Sequence, residues 1–174
     1  MSLTLTIGNL DKVFAEIKQA PKDIDRIINN EFKAFGQNVV SDAQRLVPKN
    51  ESRLVQNISD KLSNLEVRIS ANTDYAAFIE FGTKSFASAY VATLPAEWQS
   101  FAAEFKGAGS GSFKDLVMKI TKWVQLKGIP AKAAYPIAVK IVRNGIRAQP
   151  YLFPAFEKNK IELINNLKRQ LNAQ

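Results

Sequence analysis

The stretch at residues 75–83 reads Tyr75-Ala76-Ala77-Phe78-Ile79-Glu80-Phe81-Gly82-Thr83 and sets a carboxylate inside an aromatic run. A strand or helix that turns Glu80 inward must give it a hydrogen-bond donor, because an unpaired buried charge is costly. Two interpretations stay open: Glu80 is buried with a partner, or the segment is amphipathic and Glu80 faces water. We expect Gly82 to end the element sharply, in a turn that no residue with a side chain tolerates.

The composition favours a single domain over residues 1–174, with a flexible insertion at about 84–112. A chain of 174 residues with 46% hydrophobic content can bury a core of its own. It has no cysteine and no histidine, which removes disulfides, thiol nucleophiles, the commonest general base and the commonest zinc ligand. We therefore expect no enzyme, no cofactor and no metal site.

No apolar run approaches the roughly 20 residues that a membrane-spanning helix needs. The N-terminus, Met1 to Ile7, alternates like a strand and lacks the basic start of a signal peptide. We expect a soluble protein that makes no membrane contact and stays inside the cell that makes it.

The net charge of +8 is concentrated in residues 106–147, which carry nine bases and one acid (9 − 1 = +8). Such a segment can face phosphate, an acidic partner protein or solvent, and all three interpretations remain open. The bases are Lys106, Lys114, Lys119, Lys122, Lys127, Lys132, Lys140, Arg143 and Arg147.

Apolar residues at spacings of three and four predict several helices. The longest spans Lys22 to Leu46 and ends before Pro48. Shorter helical segments are expected over Leu10–Gln19 and Pro95–Phe105. Three more helices follow: one contains Phe113 to Val124 and stops at Gly128, one covers Tyr135–Asn144 with Val142 inward and Gly145 as its stop, and one covers Pro154–Leu171 with Ile161 inward.

Strand-like alternation predicts a small antiparallel sheet. Arg53–Ser59 and Leu65–Ala71 would form a hairpin joined by residues 60–64, beside the N-terminal strand. Residues 107–112 have the composition of a flexible linker. Helices flanking one small antiparallel sheet define an α+β fold class, with a long N-terminal helix.

Five features occur in a fixed order along the chain. They are a strand and long helix ending at Val47-Pro48, a strand start at residues 52–58, the stretch at residues 75–83, a helix with Trp123 and a Lys127-Gly128 stop, and an aromatic-proline box at residues 145–156. This order resembles the tail-completion or neck proteins of long-tailed bacteriophages, which join the tail tube to the DNA-filled head. It is similar to the lambda minor tail protein Z and to the Hong Kong ninety-seven type tail component.

The resemblance implies a structural virion protein that completes the tail and joins it to the head. It implies assembly in the host bacterial cytoplasm as a homo-oligomeric ring, docked to tail terminator or tail tube proteins and to head connector proteins. The aromatic rings of the stretch at residues 75–83 would pack across the sheet, or form plain monomer core. The residues implied at interfaces or in fixing register are Tyr75, Phe78, Glu80, Phe81, Gly82, Thr83, Trp123, Pro150 and Tyr151.

The resemblance also implies a role for five of the basic residues in the segment 106–147. Lys119, Lys122, Lys140, Arg143 and Arg147 would line a lumen that contacts DNA loosely, or meet an acidic partner. The competing class is a basic nucleic-acid-binding protein unrelated to virions. A hydrolase is the third and weakest alternative, because Asp23 and Asp25 do not share a helix face.

Overall fold

The computed structural model of the chain describes residues 3–7, 23–49, 51–63, 65–105 and 112–172. In these ranges the fold is α+β, as predicted, with eight α-helices and one three-stranded antiparallel sheet. The chain divides into two compact units, residues 1–76 with 149–174 and residues 77–148.

The first unit contains the sheet and the two long helices. Strand β1 (Leu3–Ile7) is followed by helix α1 (Ile24–Leu46), the short helix α2 (Ser52–Gln56), and strands β2 (Ile58–Ser63) and β3 (Glu66–Ala71). The sheet order is β1-β3-β2, with both neighbours antiparallel to β3. The C-terminal helix, numbered α8 below, spans Leu152–Asn172 and belongs to this unit.

The core of this unit lies where α1 packs against the sheet and α8. Strand β3 turns Val67, Ile69 and Ala71 inward in strict alternation, and α1 buries one stripe of its surface. The rings of Phe35 on α1 and Phe156 on α8 meet edge to face, with centroids 5.5 Å apart. The buried stripe of α1 comprises Ile27, Ile28, Phe32, Phe35, Val39 and Ala43.

A polar contact also joins the two long helices. Asp42 on α1 accepts hydrogen bonds from Lys158 Nζ at 2.9 Å and from Asn159 Nδ2 at 3.0 Å, both on α8. Asn159 is buried and also donates to the carbonyl of Ala155 at 2.8 Å. These hydrogen bonds lower the pKa of Asp42 below its ordinary value, with the Lys158 bond as the largest cause.

The regular elements in the described part of the second unit are all helices. It contains α3 (Ala76–Phe81), whose first residue is the boundary residue of the first unit, α4 (Lys84–Val91), α5 (Ala96–Ala103), α6 (Phe113–Leu126), a 3-10 turn (Ala131–Ala133) and α7 (Ala134–Asn144). Helices α6 and α7 pack on each other and form a helical hairpin.

Both ends of α6 are fixed by capping contacts. At its start, Ser112 Oγ accepts from the Asp115 N–H and the Asp115 carboxylate accepts from the Ser112 N–H, each at 3.1 Å. At its end, Gly128 N–H donates to Gln125 O and Ile129 N–H to Val124 O, at 3.1 and 2.8 Å. This is the Schellman pattern, and Gly128 has the left-handed φ of 67° that it needs.

Most of the predicted elements are confirmed. The N-terminal strand, the long helix ending at Leu46, and the helices of the hairpin lie where periodicity puts them. The stop at Gly145 is confirmed with φ 87°. The C-terminal helix begins at Leu152, two residues before the predicted Pro154.

Three predictions are wrong in detail. Arg53–Gln56 is helical, so the first hairpin strand runs Ile58–Ser63 and includes polar residues that were predicted as its connection. Val142 and Ile161, predicted to face inward, are both exposed.

Some predictions are not tested. The segment Leu10–Gln19 and residues 107–111 of the predicted linker lie outside the described residues. The insertion predicted at 84–112 contains α4 and α5, and its flexibility stays a prediction.

Candidate functional site

The stretch at residues 75–83 is a short helix, α3, that buries its carboxylate. Glu80 is 0% exposed, so the interpretation with a buried Glu80 is confirmed and the solvent-facing alternative is wrong. A buried carboxylate is costly without partners, and Glu80 does interact with its surroundings. Residues four apart on a helix lie on the same face, so Glu80 lies on the same side of α3 as Ala76, which is also buried.

Phe81 packs against rings of α5 and of the segment that follows it. Its centroid lies 6.4 Å from that of Trp98, 6.0 Å from Phe101 and 6.2 Å from Phe105. The expectation that this ring packs across the sheet is therefore wrong. Since the stretch is helical, Phe78 and Phe81 lie three residues apart on one helix face.

Tyr90 on α4 lies in the electrostatic field of Glu80. Burial raises the pKa of the Tyr90 hydroxyl well above its ordinary value, and the charge of Glu80 raises it further. Among the described residues, the Tyr90 hydroxyl is a buried group without a hydrogen-bond partner. It therefore stays protonated and carries a desolvation cost that no hydrogen bond offsets.

Gly82 ends α3 in a conformation that excludes a side chain. Its φ is 75°, and a Cβ atom there would lie 2.7 Å from both the amide nitrogen of Ala148 and the carbonyl oxygen of Ile146. The next residue, Thr83, hydrogen-bonds to Ile146 through its backbone and its hydroxyl. The predicted role of Gly82 is confirmed, and its cause is the close approach of residues 146–148.

An apolar groove of about 580 Å³ lies between α3, α4 and the end of α5. All its lining residues belong to the second unit, and five of them come from the stretch at residues 75–83. Three polar residues on its lining, Lys84, Ser88 and Gln99, are exposed, so the groove is open to solvent. Its apolar walls are formed by Ala77, Phe78, Phe81, Ala87, Val91, Ala102, Ala103 and Phe105.

A basic surface covers the helical hairpin of α6 and α7. Of the five cations proposed to contact DNA or an acidic partner, Lys119 and Lys122 lie on α6 and Lys140 and Arg143 on α7, all exposed. Arg147 follows α7, and its guanidinium lies over the Phe86 ring, 5.3 Å from the centroid. The structure therefore gathers four of the five on one hairpin.

Apolar side chains are also exposed on this hairpin. Of ten exposed large apolar residues among those described, eight lie between residues 113 and 142. Trp123 is 40% exposed, and Tyr135 is exposed with its ring edge to face with Phe113, 5.7 Å between centroids. Exposed apolar surface of this extent is typical of a site that binds another macromolecule.

The remaining predicted site residues lie in the first unit. Tyr75 is half-buried, and burial together with the charge of Glu51 raises the pKa of its hydroxyl. Pro150 is half-buried and Tyr151 is fully buried just before α8. The predicted interface residues therefore do not form a single site. Among them, only Phe78, Phe81, Gly82 and Thr83 line the groove.

The residues that complete the groove from α4 and α5 were not predicted from the sequence. Ala87, Val91 and Ala102 are small or ordinary apolar residues, and the only available signal was the excess of alanine in residues 85–103. Neither a metal site nor a membrane span emerges from the described ranges. They contain no group of three potential metal-ligating residues, and no helix there is long and apolar enough to cross a bilayer.

Comparison with known proteins gives one family. Residues 11–82 match the family described as "Bacteriophage HK97-gp10, putative tail-component". The match runs from before α1 to Gly82, so it includes the long helix, β2, β3 and all of α3. No curated protein and no solved structure matches the chain.

The matched segment is similar to bacteriophage tail components. The resemblance to phage tail and neck proteins is confirmed over residues 11–82. The match covers 72 of the 174 residues of the chain.

Proposed function

We propose that this protein completes the phage tail and joins it to the head, assembling as a ring that docks to the tail terminator or tail tube on one side and to the head connector on the other. The observation that carries the proposal is the family match over residues 11–82, which ends within the stretch at residues 75–83 that lines the groove. The protein acts by docking and performs no bond chemistry. It is made and assembled in the host cytoplasm and then becomes part of the virion.

Two surfaces of the second unit support this function. A joining protein needs at least two complementary contact surfaces, and both the groove and the hairpin are accessible. The groove is apolar while the hairpin combines exposed apolar residues with seven bases. These two surfaces therefore suit different partners.

The basic hairpin has two roles in this proposal. Lys119, Lys122, Lys140, Arg143 and Arg147 meet an acidic virion protein or line a lumen through which DNA passes. A lumen contact is loose, because lysines on a helix surface bind phosphate without reading sequence. The exposed apolar residues between these lysines favour a protein partner on the same surface.

The test is electron microscopy of lysates from the phage that encodes this chain, with and without an early stop codon in its gene. The expected result without the protein is full heads and complete, separate tails. Intact infectious virions from the stop-codon phage would contradict the proposal.

A second candidate function is a nucleic-acid-binding protein unrelated to virions, which the exposed lysines and half-exposed Trp123 favour. Its test is a DNA titration over a salt series, where binding falls with a slope near −0.9 per phosphate neutralised. Normal virions from the stop-codon phage together with tight DNA binding would favour this candidate.

A further inference from the structure

An exposed apolar stripe runs along helix α7. Tyr135, Val139 and Val142 occupy positions i, i+4 and i+7, so they lie on one face of the helix. Their exposed fractions are 61%, 39% and 46%, whereas the buried residues of α7, Ala134 and Ala138, lie on a different face. At 1.5 Å per residue the stripe is about 10 Å long, which is two turns of apolar helix surface open to the surroundings.

Contacts at both ends of the stripe fix its shape. At its start, the rings of Phe113 and Tyr135 meet edge to face, with 5.7 Å between centroids. At its end, the Lys84 ammonium donates a hydrogen bond to the carbonyl of Val142, which ties α7 to α4. A surface that is already rigid loses little conformational freedom when it binds, and this favours affinity. The stripe therefore has the order that a docking surface needs.

The charges around the stripe all have the same sign. Every charged residue in the range 116–156 is basic. Three of these bases are exposed close to the stripe: Lys132 in the 3-10 turn before α7, Lys140 beside Val139, and Arg143 one turn beyond Val139. Because the charges of two docked surfaces are arranged to be complementary, a partner that fits here carries carboxylates beside its apolar residues.

A second copy of the chain is a poor match for this surface. Two copies that met through α7 would bring like charges together, which is unfavourable. Outside residues 106–147 the chain carries 15 bases and 15 acids (24 − 9 and 16 − 1), so the rest of the chain has no net negative charge. Charge therefore favours a different molecule as the partner.

The apolar side chains favour a protein over DNA. Protein–DNA interfaces are more polar than protein–protein interfaces, and a phosphate backbone offers no apolar surface to Val139 and Val142. A stripe at i, i+4 and i+7 is instead matched by a second helix with apolar residues at the same spacing, because side-chain ridges of one helix pack into grooves of another.

We propose that the stripe of α7 docks an acidic amphipathic helix of another virion protein. The apolar residues of that helix pack against Tyr135, Val139 and Val142, and its carboxylates lie beside Lys140 and Arg143. This inference rests on the proposed joining function and deepens it, because it names one docking surface and the chemistry of the partner.

The chain offers a direct test because it contains no cysteine. Lys140→Cys, next to the stripe, is labelled with benzophenone maleimide, added to a lysate of the stop-codon phage and irradiated. Mass spectrometry then identifies the cross-linked peptides. We expect a peptide of another virion protein that has more acids than bases and apolar residues at helical spacing. Lys33→Cys, at an exposed lysine of α1, is the matched control and should give at least about tenfold less of this peptide.

Several results would overturn the proposal. The label at position 140 could cross-link chiefly to a second copy of this chain, to DNA, or to phospholipid, which would indicate a self-contact, a nucleic-acid surface or a membrane surface. A cross-linked protein segment without an excess of acids would also overturn it. So would a yield on other virion proteins that does not exceed the Lys33→Cys control.

Two charge variants test the acidic character of the partner separately. Val139→Glu and Val139→Lys each place one charge in the stripe, and both should fold because Val139 is exposed. Added unlabelled and in excess, Val139→Lys should compete for the cross-link, whereas Val139→Glu should compete at least about tenfold less well because it meets like charge. Equal competition by the two variants would overturn an acidic partner.

Failure of this inference is distinct from failure of the joining function, which is measured in phage lysates. If the stop-codon lysate contains separate heads and tails but the label finds no acidic helix, the joining function stands and this docking surface is wrong. If the label finds an acidic helix while the stop-codon phage forms intact virions, the docking surface stands and the joining function is wrong.

Discussion

Thr83 and Ile146 are joined by two hydrogen bonds. The Thr83 N–H donates to the Ile146 carbonyl oxygen at 2.9 Å, and the Ile146 N–H donates to Thr83 Oγ1 at 2.7 Å. Thr83 ends the stretch at residues 75–83, and Ile146 lies in the aromatic-proline box at residues 145–156. Two of the five sequence features that carry the resemblance, the stretch at residues 75–83 and the aromatic-proline box, are therefore in direct contact.

Removal of the Thr83 hydroxyl should destabilise the second unit. Thr83→Val keeps the shape of the side chain but leaves the Ile146 N–H without its acceptor, which costs about 1 kcal/mol of unfolding free energy. Urea denaturation measures the change. Thr83→Ser, which retains the hydroxyl, is the control and should lose less; an equal loss in both variants would contradict the role of the hydroxyl.

Gly82 should tolerate no side chain. Gly82→Ala combines a left-handed φ, which costs about 1–2 kcal/mol for a residue with a Cβ, with backbone atoms only 2.7 Å from that Cβ. Gly128→Ala is the matched control, because its φ of 67° is similar and nothing lies within 4 Å of its Cβ. Thermal denaturation should therefore show a larger loss for Gly82→Ala, and equal losses would mean that the close approach is not a constraint.

The contact between Asp42, Lys158 and Asn159 should make stability depend on acid pH. Since the folded pKa of Asp42 is lowered, its contribution is present above the unfolded value of about 3.9 and is lost as the pH falls through the folded pKa. Asp42→Asn should therefore be less stable than the wild type at neutral pH, with a difference that shrinks in acid.

Denaturation curves at a series of pH values measure this effect. Asp74→Asn, at an exposed carboxylate of the first unit, is the control. A constant difference between Asp42→Asn and the wild type across the acid range would show that the ionised carboxylate is not the source of the stabilisation.

Tyr90→Phe should stabilise the protein. The Tyr90 hydroxyl is buried without a hydrogen-bond partner in the described structure, so its removal eliminates a desolvation cost of about 1 kcal/mol. The melting temperature should rise, whereas Tyr135→Phe, at an exposed ring, should leave it unchanged. A fall in melting temperature for Tyr90→Phe would indicate that the hydroxyl contributes favourably.

The double variant Lys119→Glu with Lys122→Glu tests the basic hairpin. Both side chains are exposed, so folding should be intact while loose, salt-sensitive DNA binding is lost. Fluorescence anisotropy with duplex DNA over a salt series measures the binding. The control is the double variant Lys33→Glu with Lys61→Glu, at two exposed lysines of the first unit, which should bind DNA like the wild type. Equal binding by both double variants would show that the basic hairpin does not contact DNA.

Long amphipathic helices and glycine stops were predictable because they depend on local pattern. The end of α1 at Leu46 and the glycine stops at Gly128 and Gly145 were assigned correctly. The buried stripe of α1 was predicted only in part, because Leu46, predicted on it, is 48% exposed, and the buried Phe32 was not predicted. Arg53–Gln56 was predicted wrongly as a strand, since one buried residue, Leu54, satisfies either pattern. A tertiary contact accompanies the helical conformation of this segment. The carbonyl of Val55 accepts a hydrogen bond from the side-chain amide of Gln44 at 3.0 Å, where a strand would pair with a neighbouring strand.

The candidate site was predictable only in part. The carboxylate in an aromatic run marked α3, but the groove depends on how α3, α4 and α5 pack, which no local pattern contains. The exposure of Val142 and Ile161 was missed for the same reason, because apolar residues at helical spacing predict a stripe without showing which part is covered. The prediction of one domain with an insertion at about 84–112 stays a prediction.

The most direct test of the central claim is an in vitro joining assay. Heads and tails from a lysate of the stop-codon phage are mixed with the purified protein, and infectious particles are counted as plaques. The account predicts that the plaque titre rises with added wild-type protein and stays at background without it. A titre that remains at background with the protein, while heads and tails from a matched lysate with the intact gene give plaques, would contradict the joining function.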